Sequence, residues 1–428
     1  MITAHLSAQD ERSANKLSHS LSGSQGSLAS DRQSGMNLLS RLVVQLSSSA
    51  TILIVALSFA PNTAAGGPRE VANKIHNRLT GVPPSPQVLA QMEDLVAKGM
   101  VAEAARVAMD SPYFYNLSLK NWMVPWSNRD QTPRVPLNDY VATMIGMVRD
   151  DVPFDEVLYG DVIYTGKDGL TGVGGVAIPA YSKLDNNHYT ALEAGMIDLK
   201  DNLVQKQQST VTGIADTAGV ITTRGFGAEF FDAGTNRRAL RFTLINFMCN
   251  DMEQMMDNTR PDFHIRRDVT RAPGGDPTVF RNKCAGCHTG MDALAGAFSH
   301  FDFVGGQVVY DAGTITDKVN RNAQEFPDGW VTRDDSWVNL WTAGANARIG
   351  WHGNTQGNGV NQLGKMFAAS EEFPRCMAKR VFQKVCLRDP KSVEDQKTVK
   401  DLSDDFGTGG KFSMKRLFAD TAAACLND

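Results

Sequence analysis

The sequence has no excess of basic charge: 43 Lys and Arg stand against 47 Asp and Glu. Neither a nucleic acid nor an anionic lipid surface is therefore the expected partner. Cysteine is scarce, six in 428 residues, which is too few for a disulfide-dense mini-protein. Long apolar runs are lacking too, and beyond residue 65 no stretch reads as a membrane span. There is no G-x-S-x-G, no H-E-x-x-H, no phosphate loop and no calcium-loop spacing, so the corresponding chemistries find no motif. The neighbouring carboxylates Asp150 and Asp151, like Asp334 and Asp335, point to different faces and read as surface charge. What remains, 42% hydrophobic and 21% charged residues, is a globular composition long enough for more than one core.

The N-terminus reads as an address. Residues 1–35 are rich in Ser, Gln and Asn without apolar periodicity, a disordered or non-native extension. From Met36, a short basic region with Arg41 precedes the apolar run Ala50 to Ala60, and Thr63 and Ala65 suit a signal-peptidase site. Residues 36–65 are thus expected to be a cleaved signal peptide. The mature protein is expected to be periplasmic, with no membrane insertion after cleavage.

Helical signals dominate the remainder of the chain. Val71, Ile75 and Leu79 recur at spacing four until Gly81. Ser85 is an N-cap with Pro86 at the first helical position, and Val101 to Met109 forms another helix. Asn138 caps a helix running through Val148. Residues from about 160 to 235 read as loops, small hairpins and helical turns. An apolar stripe predicts a helix from Arg238 to Met256, and later helices span Val360–Ala369, Phe373–Cys386 and Ser413–Ala424.

The sharpest signal is Cys284-Ala285-Gly286-Cys287-His288. Two thiols separated by two residues on a helical turn can each add to one vinyl group of a porphyrin. The next residue then offers its imidazole to the iron. Asp276 and Pro277 open a helix ahead of the motif, with Phe280 one turn before Cys284. The expected cofactor is one covalent haem c, held by Cys284 and Cys287 and ligated by His288. The competing readings of the two cysteines are a redox dithiol, half a zinc site or a plain disulfide. Met366 or His352 is the candidate distal ligand, ahead of His300 and Met291, and Arg266 and Arg267 are candidates for propionate contacts. Cys249, Cys376, Cys386 and Cys425 suggest two disulfides with three possible connectivities. Cys386 with Cys425 would staple the C-terminal helices, leaving Cys249 for Cys376; buried free thiols are the alternative.

Three regions resemble the planctomycete-type cytochrome c proteins. NRLTGVPPSPQVL (77–89) and DDVPFDEVLYGD (150–161) are similar to their N-terminal helical region. AGVITTRGF (218–226), NRRALRFTLINFMC (236–249) and CAGCHTGMDALAGAFSHFDFVGG (284–306) resemble their haem-bearing domain. LGKMFAASEEFPRCMAKRVFQKVCLRD (363–389) and FGTGGKFSMKRLFADTAAA (406–424) resemble their C-terminal helical domain. The chain departs at Ala293, where that family commonly has Pro, and from Tyr310 to Gly350. The resemblance implies electron transfer, with Cys284 and Cys287 attaching haem and His288 ligating iron; it names no redox partner protein.

The expected fold is mainly α: an N-terminal helical domain (66–216), then a class I cytochrome c-like haem domain (217–428) with a C-terminal helical segment from about 360. The expected function is a c-type cytochrome acting as an electron carrier. Its alternatives are a haem-dependent oxidoreductase, either peroxidase or dehydrogenase subunit, and a haem-stapled structural component of an envelope assembly.

Overall fold

The computed structural model describes residues 66–426, so the expected extension and signal peptide lie outside the described residues. The described residues open with α1 (Pro68–Thr80), α2 (Pro86–Ala97) and α3 (Val101–Met109), which pack on one another. Gly81 ends α1 at a φ of 78°, where a side chain would be strained. Ser85 caps α2 by accepting from the Val88 N–H, as its position before Pro86 predicts. An aromatic segment after α3 buries Phe114, Trp126 and their neighbours, with Phe114 edge-on to Phe418 at 5.3 Å.

Next come α4 (Asp139–Asp150), capped by Asn138, and a two-stranded antiparallel sheet of β1 (Ile163–Gly166) and β2 (Leu203–Lys206). The buried Asp139 carboxylate accepts the N–H groups of Arg224 and Gly225, both at 2.7 Å, and so pins the helix Arg224–Phe230 to α4. The stripe expected to run from Arg238 to Met256 is broken. Helix α5 (Arg237–Met248) stops where Cys249 turns left-handed at φ 49°, and a short turn, Met252–Met255, restarts under the cap Asp251.

Asp276 accepts from the Thr278 N–H and Pro277 opens the next helical segment. A distorted turn, Phe280–Cys284, then runs into α6 (Ala285–Leu294), which carries Cys287 and His288. Two further antiparallel pairs come next, β3 (Phe301–Val304) with β4 (Gln307–Tyr310), and β5 (Ser336–Val338) with β6 (Gln356–Asn358). The chain closes with α7 (Gly359–Ala368), α8 (Glu372–Cys386), α9 (Val393–Gly407) and α10 (Met414–Ala424).

The architecture is mainly α, as expected, with strands confined to small pairs. A single hydrophobic cluster runs from Val71 to Cys425, across the position of the expected boundary at 216/217. Helix α10 packs on α3, and α8 packs on α5, so the first and last of the described helices share one core. Cys249 is bonded to Cys376 and Cys386 to Cys425, the connectivity in which the second bridge staples the C-terminal helices. No helix among the described residues is long and apolar enough to cross a membrane.

Candidate functional site

The site is built on α6. Small residues let other segments close on its rear face. The O of Gly286 accepts from the Asp257 N–H at 2.9 Å, and a Cβ at 286 would stand 2.4 Å from Met256 Cγ. One turn on, Gly290 lies against the Trp341 indole. On the other side, α5 packs along α6.

With the other four cysteines paired, Cys284 and Cys287 are free thiols, both partly exposed. Cys284 packs on the small cluster of Ile265, Phe280 and Ala285. Cys287 lies by the Met252 carbonyl, 3.5 Å away. Burial, aided by the charge of Glu253, pushes the Cys287 thiol above its ordinary value, so it rests protonated at neutral pH.

His288 is the third member. Its side chain is 22% exposed, and Nδ1 stands 3.2 Å from Oδ1 of Asp292, one turn further along α6. Asp292 is wholly buried. It also accepts from Arg237 twice, Nε at 2.5 Å and Nη2 at 2.8 Å, and from the Arg266 backbone N–H at 3.0 Å. Arg237 in turn grips Asp268 at 2.6 and 2.7 Å. Burial alone would raise the Asp292 carboxyl, but Arg237 and the bond from His288 outweigh it and hold the group far below the usual carboxylate range. An ionised carboxylate only accepts hydrogen bonds, so in the neutral ring the proton sits on Nδ1 and the lone pair on Nε2.

Beside this turn, Arg129, Arg237, Arg238, Arg241, Phe242 and Met291 line a groove of about 460 Å³. Most of its arginines already face carboxylates: Arg241 grips Asp251 at 2.6 Å through both Nε and Nη2, Arg129 meets Glu229 at 3.3 Å, and Arg237 spans Asp268 and Asp292.

The side chains of the other expected site residues have partners of their own within the protein. The Arg266 side chain is buried, with Nη1 donating to the Thr235 carbonyl at 2.8 Å; burial draws its pKa down to about 10. Arg267 donates to the Gly329 carbonyl at 3.2 Å. The Met366 sulfur accepts from Asn339 at 3.4 Å, and Asn339 also holds the Trp341 N–H. Trp341 meets α6 at Gly290, roughly 200° around the helix from His288. His352 is 59% exposed, 3.4 Å from Glu371, and lines a separate cleft with Cys249 and Cys376. Thus Cys284, Cys287 and His288 come together, while Met366 and His352 have other partners.

Sequence reasoning missed Asp292, Arg237 and Asp268. The first had a visible signal, an acid four residues after His288 and so on the same helical face. The second sits in the NRRALRF run one turn from Arg241, where nothing in the local sequence sets it apart from its neighbouring arginines.

The residues present fit a covalent haem. The donor set is two unpaired thiols three positions apart and an adjoining imidazole whose far nitrogen is freed by Asp292. Among the described residues, no three His, Cys, Asp or Glu side chains gather as a metal cage. No protein-family model, curated protein or solved structure matches the chain.

Proposed function

We propose that this chain is an exported c-type cytochrome, an electron carrier with one covalent haem in a cytochrome c-like helical setting akin to the planctomycete-type proteins. One observation carries the reading. Of six cysteines, four are paired off, and the two left free are those on one helical turn with a histidine whose Nδ1 faces a buried carboxylate.

When bound, the haem supplies a one-electron couple between Fe(III) and Fe(II). The chain's own part is to bind and orient. Cys284 and Cys287 would supply the sulfurs for two thioether links, and His288 would offer Nε2 to the iron. Asp292 keeps the proton on Nδ1, and Arg237 keeps Asp292 ionised inside the protein. Periplasmic export fits the assembly of such a link, because attachment and both disulfides belong to the oxidising side of the membrane.

The test is a pyridine haemochrome spectrum with the intact mass of protein made alongside haem-attachment machinery. One haem per chain, lost when Cys284 and Cys287 are both replaced by Ala, is the expected result. Colourless protein with the mass of bare polypeptide overturns the reading.

A further inference from the structure

We infer that Asp292 is a positioning residue for the haem iron: as a buried anion it holds His288 in the Nδ1–H form and makes its Nε2 a stronger donor. This rests on the proposal that the chain carries haem.

The geometry fixes the Asp292 carboxylate from several directions at once. Its Oδ1 receives His288 Nδ1 and Arg237 Nε, and its Oδ2 receives Arg237 Nη2 and the Arg266 N–H. All four bonds hold the carboxylate in one orientation. Arg237 cannot swing away with it, because Asp268 grips its other edge. The imidazole is therefore tied to a fixed charge rather than to a mobile surface side chain. A metal-bound imidazole that donates to a carboxylate is a better electron donor than one that donates to a neutral group. A richer donor favours the higher oxidation state of the iron, so Asp292 lowers the reduction potential.

The charges give the inference a control. Arg237 and Arg266 balance Asp268 and Asp292. Asp292→Asn and Asp268→Asn each remove one negative charge from this cluster, yet only the first changes the partner of His288. If the effect runs through the imidazole, the two variants differ. If it is only the field of a nearby charge, they are alike.

The experiment is a spectroelectrochemical titration of the full-length haem protein and both variants. Asp292→Asn should shift the Fe(III)/Fe(II) balance toward Fe(II) by about tenfold or more, equivalent to 59 mV for one electron, and Asp268→Asn by clearly less. An unmoved potential in Asp292→Asn, or equal shifts in both, overturns the inference.

A second measurement needs no haem and no change at Asp292. In the full chain carrying Cys284→Ala and Cys287→Ala, ¹⁵N-histidine NMR at pH 8, assigned with His288→Gln, should show the His288 proton on Nδ1. A proton on Nε2 overturns the inference. This measurement also decides the matter should Asp292→Asn fail to fold. Should the wild-type chain carry no haem, the haem reading falls, and the NMR result still decides whether Asp292 holds His288.

Discussion

The Trp341 indole occupies the space where a side chain on Gly290 would have to go: a Cβ there would lie 2.1 Å from Nε1. Trp341 is fully buried and cannot step aside without disturbing the core. Gly290→Ala should therefore destabilise the protein by about 1–3 kcal/mol, the usual cost of overpacking. A urea titration reads this as a lower midpoint. An unchanged midpoint would show that α6 and Trp341 can part without cost.

Among the described residues, Arg237 is the side-chain cation bonded to both Asp268 and Asp292, whose carboxylates are 10% and 0% exposed. Arg237→Met should cost about 3–5 kcal/mol, because it strands two buried charges. Adding Asp268→Asn should recover part of the loss, as the pair lies in one network. A double-variant cycle in urea measures both.

The two disulfides should contribute unequally. Cys249–Cys376 spans 127 residues and Cys386–Cys425 spans 39. By loop entropy the first is worth about 5 kcal/mol and the second about 4 kcal/mol. Thermal unfolding of the two paired Cys→Ala variants checks the order, and the longer bridge should give the larger drop.

Stability should fall in mild acid through His188. Its Nε2 accepts the Gly166 N–H at 2.8 Å and Nδ1 donates to the Pro179 carbonyl at 2.7 Å, so both nitrogens are used in the neutral form. Burial lowers its pKa against the opposing pull of Pro179. Below the unfolded value of about 6.5 the unfolded chain binds the proton and the folded one resists it. This contribution is complete above that pH and is lost as pH drops toward the folded pKa. His188→Gln should flatten the dependence of the urea midpoint between pH 7.5 and 5.5; an equally steep slope would place the effect elsewhere.

His288→Ala should separate attachment from ligation. Both thiols remain, so the mass should still include one haem, while the absorption spectrum should change because the axial nitrogen is gone. A spectrum identical to wild type would remove His288 from the iron.

Local signals made the helices legible. Ser85, Asn138 and Asp276 each accept the N–H expected of a cap, and the helices they open begin where the sequence places them. Helix α9 went unread because its pattern is mostly charge. Lys397 pairs with Asp401 and Lys400 with Asp404 on its outer face, and Val399 and Phe406 are its buried apolar contacts. The break at Cys249 was hidden for the opposite reason: methionines on both sides continue the apolar stripe, and only a left-handed residue interrupts it.

For the site, the motif names Cys284, Cys287 and His288 because their chemistry depends on adjacency in the chain. Arg237 and Asp268 could not be found that way. They reach Asp292 from 55 and 24 positions upstream, Asp268 through Arg237, and only tertiary packing brings them there.

The packing of α10 on α3 joins segments that lie far apart in the sequence, with Phe418 set against Phe114. One flank of α3 therefore stays uncovered until α10 has been made and has folded back onto it. Deleting Met414–Ala424 should loosen α3 and the two helices packed with it, at the opposite end of the described residues.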